Sequence, residues 1–171
     1  MKLLIVVDMQ KDFIDGSLGT PEAQAIVPAV KDRVLEAMED HWQVIFTKDT
    51  HSIDYLKTQE GRNLPVVHCL RGSEGWELDE ELQDLSIGCS IFEKGSFGSR
   101  ELAEYVRSLD PEEIEVIGVC TEICVISNAV LFKAYCPEVP IQIRSSCCAG
   151  VTPEAHQKAL DTMRSLQMEI L

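Results

Sequence analysis

Cys124 is the residue best placed in this chain to do covalent chemistry. It closes the stretch Gly118-Val119-Cys120-Thr121-Glu122-Ile123-Cys124. The apolar run Ile114 to Ile117 before it reads as a buried strand, and the residues from Thr121 onward read as the start of a helix. A cysteine in a first helical turn meets free backbone N–H groups and the positive end of the macrodipole, both of which favour the thiolate. Asp8 and Lys94 supply the other parts of a hydrolase. Lys94 would lower the thiol pKa further, Asp8 would carry the proton from thiol to departing amine, and Lys94 would hold that carboxylate in place. Backbone N–H groups of Cys120 and Cys124 are the donors available to a tetrahedral oxyanion.

A second group is Asp49, His51, His68 and Glu60. In an extended chain, Asp49-x-His51 places both side chains on one side. Two imidazoles and a carboxylate suit zinc, iron or manganese, with water completing the shell. The alternative reading of the same residues is a capping aspartate and ordinary polar histidines. His41 and His156 read as surface residues.

The elements around these residues explain why they would meet. Leu3 to Val7 is a continuous apolar run, the pattern of a strand buried on both faces of a parallel sheet, and it ends at Asp8. A helix is expected from Pro28 to about Asp40, with Val27, Val30, Val34 and Met38 in steps of three and four. Val44 to Thr47 is a second strand, ending at Asp49 and His51. Residues 52–86 form a long irregular segment. Cys89 to Phe92 is a third strand, running out at Lys94. A helix with Leu102, Val106 and Leu109 on one face stops at Asp110-Pro111, and the fourth strand leads to Cys120. Pro140 to Ile143 is a short strand. Thr152 then caps a helix with Pro153 at its first position and Ala155, Ala159, Met163 and Leu166 inward. Met168 to Leu171 forms a last edge strand. Strands alternating with helices predict a three-layer α/β/α fold on a mainly parallel, doubly wound sheet of five or six strands. In such sheets ligands bind outside the carboxyl ends of the strands, where Asp8, Asp49, His51, Lys94 and Cys120 to Cys124 all fall. Singly, each has a bland explanation; their convergence on one edge favours chemistry.

Composition narrows the setting. A chain of 171 residues with 45% hydrophobic content is expected to form a single domain, 1–171. The net charge of −14 argues against nucleic acid or an anionic membrane as partner. The apolar run after Lys2 is too short for a signal or a membrane span, so a cytoplasmic protein is expected. The seven cysteines are read as free thiols, mostly small buried hydrophobes.

Three segments resemble the signatures of the isochorismatase-like cysteine hydrolases: Val6-Val7-Asp8-Met9-Gln10-x-Asp12-Phe13, Lys94-Gly95-x-Phe97, and Gly118 to Val125. Asp49-x-His51 followed by Pro65-Val66-Val67-His68-Cys69 and Gly72-x-x-Gly75 is similar to the metal-binding segment of the nicotinamidase branch. The resemblance implies a triad of Asp8, Lys94 and Cys124, and metal ligands Asp49, His51 and His68 with Glu60 joining directly or through water. It also implies a cis peptide at Val119-Cys120 and one divalent ion, zinc first with iron or manganese as alternatives. The substrate ring would lie between Phe13 and Phe97, with its nitrogen on the metal and Leu64 lining the pocket. A homo-oligomer is expected from the family. The implied activity is hydrolysis of nicotinamide to nicotinate and ammonia through a thioester on Cys124. The other readings are action on a different small amide or carbamoyl group, or a catalytically silent binding or redox protein of the same fold.

Overall fold

Six strands make one sheet in the computed structural model, which describes residues 1–171. In chain order the elements are β1 (Lys2–Val7), α1 (Lys11–Ile14), α2 (Pro21–Glu39), β2 (Gln43–Asp49), α3 (Gln59–Asn63), α4 (Glu80–Gln83), β3 (Ser90–Lys94), α5 (Arg100–Ser108), β4 (Glu113–Val119), α6 (Ile126–Tyr135), β5 (Ile141–Ala149), α7 (Pro153–Ser165) and β6 (Glu169–Ile170). The strand order is β3-β2-β1-β4-β5-β6, and every pairing is parallel. The order therefore reverses between β1 and β4, and Asp8 and Cys120 follow the ends of those two strands.

Alternation along β1 divides the core. Leu3, Ile5 and Val7 pack with Val106 of α5, Phe132 of α6 and Met163 of α7, whereas Leu4 and Val6 face Val30 and Val34 of α2. The sheet is thus covered on both faces, as its unbroken apolar strands require. No helix is long and apolar enough to cross a membrane.

Several boundaries differ from the sequence reading. α2 begins at Pro21, with Thr20 Oγ1 accepting from Ala23 N at 3.0 Å, so Pro28 lies inside it. Thr20-Pro21 is the stronger start signal, because cap and first-turn proline occur together. β5 runs to Ala149, past the polar Arg144-Ser145-Ser146, and a register irregularity opposite Val116 and Gly118 lets Cys148 and Ala149 rejoin β4. Thr152 caps α7 as read, but the helix buries Ala159, Leu160 and Met163, leaving Leu166 exposed. Five of the seven free cysteines are buried, and Cys89 and Cys120 are partly so.

Glu115, fully buried in the middle of β4, accepts Nε and Nη2 of Arg33 at 2.9 Å each and Nε of Arg144 at 2.6 Å. Burial pushes its pKa up, but the two guanidinium groups outweigh that and hold it below the ordinary 4.5. A depressed folded-state pKa gives stability that is present above the unfolded value and is lost as pH falls through the folded one. Glu115→Ala should cost about 3–5 kcal/mol in urea unfolding at neutral pH, because it strands buried Arg33. Glu115→Gln should lose the part of the acid sensitivity that sets in below 4.5; an unchanged difference between neutral and acid stability would show that the pair contributes nothing.

Candidate active site

The carboxyl ends of β1, β2, β3 and β4 bring one lysine within reach of four other groups. Lys94 Nζ lies 2.6 Å from Asp8 Oδ2, 3.7 Å from Asp49 Oδ1 and 3.5 Å from Cys124 Sγ, and donates to the Ser96 carbonyl at 3.1 Å. All four side chains are buried: Asp8 at 0%, Lys94 and Asp49 at 4% and Cys124 at 5% relative exposure. Thr47, in β2, fixes the acid from the neighbouring strand. Its hydroxyl donates to Asp8 Oδ1 at 2.6 Å and accepts from Asp8 N at 3.1 Å.

Cys124 is not in the first turn of an α-helix. Thr121–Val125 form a π-turn, continuous with α6, after a cis peptide at Val119-Cys120. Gly118, at φ 117°, precedes it, and a Cβ there would stand 2.1 Å from the Val7 carbonyl oxygen. Glycine is therefore required where β4 passes the end of β1. Nor is the thiol acidic as the sequence reading expects. Burial pushes the Cys124 pKa well above the ordinary thiol value and the charge of Asp8 pushes it further, while Lys94 offsets only part. Burial also raises Asp8, against the pull of Lys94, and Lys94 itself is held charged by Asp8 despite its burial. With the thiol favoured over the thiolate, the sulfur needs a proton acceptor, and Asp8, paired with Lys94, is the adjacent acid. Burial likewise pushes Cys120 up to about 12, which leaves its backbone rather than its sulfur to contribute.

The second cluster adjoins the first through Asp49. One ligand atom from each of Asp49, His51, Glu60 and His68 lies within 4.8 Å of the others. His51 Nε2 is 2.8 Å and His68 Nε2 3.3 Å from Asp49 Oδ2, and Glu60 Oε1 is 3.6 and 3.8 Å from the two imidazoles. His68 Nδ1 donates to the Val66 carbonyl at 2.8 Å, which leaves Nε2 with the lone pair a metal requires. Burial raises the Asp49 pKa, but the adjoining His51 and His68 and the charge of Lys94 hold it well below the carboxylate range. The donor set, its burial and its tautomer fit a divalent cation. A bridge between His51 and Leu70 ties the segment of Asp49 and His51 to that of His68.

Of the ring-binding candidates, Phe13 packs on His68 at a centroid distance of 5.5 Å, Phe97 follows Lys94 on the loop after β3, and Leu64 is 40% exposed. Several supporting residues have contacts that only the fold shows. Tyr55, fully buried, stacks on both His51 and His68 and donates to the Leu64 carbonyl at 2.9 Å. Gln10 accepts from Asp49 N at 2.7 Å and donates to the Asp49 and Trp76 carbonyls at 2.9 Å each. His156 is half-buried, and its Nδ1 shares a 2.7 Å hydrogen bond with the Thr121 hydroxyl at the start of the π-turn.

The sequence matches the Isochorismatase domain family over residues 2–171. The chain belongs to that family. It is 28% identical over 188 residues to the nicotinamidase/pyrazinamidase of Mycobacterium tuberculosis, covering 100% of this chain and 98% of that one. Among solved structures, the pyrazinamidase/nicotinamidase of Streptococcus mutans superposes with a TM-score of 0.89 at 26% identity, over the whole of both chains. A pyrazinamidase of Pyrococcus horikoshii in complex with zinc gives 0.83 at 27% identity, over 99% of this chain and 98% of the other. The chain stands in the nicotinamidase branch of the family, among amidohydrolases.

Proposed function

We propose that this protein hydrolyses nicotinamide to nicotinate and ammonia through a thioester on Cys124. The observation that carries the proposal is the convergence of Asp8, Lys94 and Cys124 on one buried point, linked through the Lys94–Asp49 contact to a four-residue cluster that could hold a metal. As the thiol attacks the carboxamide carbon, Asp8 takes its proton. The amide N–H groups of Cys120 and Cys124 are the donors proposed for the oxyanion. Collapse breaks the C–N bond, and Asp8 returns the proton to the leaving nitrogen, so ammonia departs. Water then attacks the thioester, Asp8 accepts its proton, and the sulfur leaves and is reprotonated. Lys94 stays charged throughout and keeps Asp8 aimed at the sulfur.

Asp49, His51 and His68, with Glu60 directly or through water, would hold one divalent ion, zinc first and iron or manganese as alternatives. Such an ion supplies a Lewis-acidic anchor for the aromatic nitrogen of the substrate. Phe13, Phe97 and Leu64 are the proposed apolar walls. A single domain, a cytoplasmic setting that keeps seven thiols reduced, a place in pyridine nucleotide salvage and a homo-oligomeric state complete the reading.

Ammonia release from a panel of nicotinamide, pyrazinamide, benzamide and a carbamoyl compound tests the substrate. Turnover of the two nitrogen heterocycles well above benzamide is expected. Turnover of another amide without nicotinamide would replace this substrate by that one, and silence toward all would leave a binding protein.

A further inference from the structure

Asn128 lies on α6, one turn after Cys124, and is fully buried. Its side chain satisfies three backbone groups on two separate elements. Nδ2 donates to the Cys124 carbonyl at 2.7 Å and to the Phe97 carbonyl at 3.1 Å, while Oδ1 accepts from Ser99 N at 3.0 Å. Ser99 in turn caps α5 by accepting from Leu102 N at 3.1 Å. At Gly98, between the two anchored residues, an added Cβ would lie 2.8 Å from Leu131 Cδ1 and 3.4 Å from the Ser127 carbonyl oxygen. The loop therefore lies flat on α6 at the point where Asn128 grips it. Its other end is held by Lys94 Nζ on the Ser96 carbonyl. Between these holds stands Phe97, with 43% of its surface exposed.

We propose that Asn128 is a positioning residue that staples the Phe97 loop to the helix of the nucleophile and thereby fixes Phe97 relative to Cys124. The role given to Phe97 rests on the amidase reading; the staple itself does not. A buried amide with all three bonds made specifies one arrangement, because any slip of the loop leaves polar groups unpaired. No group on Asn128 reaches the reacting atoms, so its effect on turnover would pass through Phe97.

Asn128→Ser separates the parts of this arrangement. A serine hydroxyl in a helix can bond the carbonyl four residues back, here that of Cys124, but is too short to reach the loop. Hydrogen–deuterium exchange of the Asn128→Ser protein should show the Ser99 amide exchanging about tenfold faster, with β1 and β4 unchanged. For nicotinamide, kcat/KM should fall about tenfold or more, mainly through KM. In a Phe97→Ala background the same substitution should change kcat/KM by no more than about twofold, since residues acting through one another are not additive. Asn128→Leu, similar in volume, repeats the exchange measurement should the serine variant not fold. Unchanged exchange at Ser99, faster exchange across the whole sheet, or multiplicative effects of the two substitutions would overturn the proposal. A wild-type protein inactive on nicotinamide would end the amidase reading instead, and the exchange result would still decide the staple.

Discussion

Cys124→Ala should lower kcat for nicotinamide by roughly 10^4-fold or more, with the fold intact. The size follows from the site. Asp8 and Lys94 have no other nucleophile to serve, and water attacking the amide directly would use a base placed for the sulfur. The fold should survive, because one buried sulfur is lost from a turn held by Thr121 to His156 and by Asn128 to the Cys124 carbonyl. Kinetics on protein with an unchanged unfolding midpoint check this. Activity within tenfold of wild type would remove the thioester from the mechanism, whereas a collapsed midpoint would call for Cys124→Ser before a conclusion is drawn.

His51→Ala together with His68→Ala should abolish stoichiometric metal in the purified protein, read by elemental analysis, and with it most nicotinamide turnover. Removing both imidazoles leaves Asp49 and Glu60, two carboxylates that suit hard cations and bind zinc weakly. Tyr55 would also lose both of its stacking partners, so the variant needs a check that it remains folded. Metal retained at one equivalent would sink the ligand assignment while leaving the triad untouched. The same measurement on wild type identifies which ion the site selects.

Much of this site was legible because its chemistry stands at strand ends. Asp8, Asp49 and Lys94 each follow or close an apolar run, and a parallel sheet must carry such ends to one edge. Asp8, Lys94 and Cys124 accordingly meet at that edge, next to the cluster of Asp49, His51, Glu60 and His68. The electrostatics were not legible. A cysteine near a helix start reads as acidic, but burial and the adjacent Asp8 reverse the direction, and neither is visible without packing. Also hidden were residues whose role is made by distant partners. Asn128 and Gln10 are such residues: only the fold shows that each bonds backbone groups of another segment through its amide. The bond of His156 to Thr121 is hidden for the same reason, since nothing local to α7 announces a partner 35 residues earlier. β5 extends beyond its apolar start because pairing with β4 carries it on through the serines and cysteines that interrupt the pattern.

The central claim is a covalent acyl group on Cys124, and mass spectrometry of protein quenched in acid during nicotinamide turnover tests it most directly. A nicotinoyl adduct is expected on the peptide that contains Cys124, formed within the first turnover and absent from Cys124→Ala. Nicotinate and ammonia accumulating with no adduct at Cys124 at any quench time, or with the adduct on Cys120 instead, would contradict it.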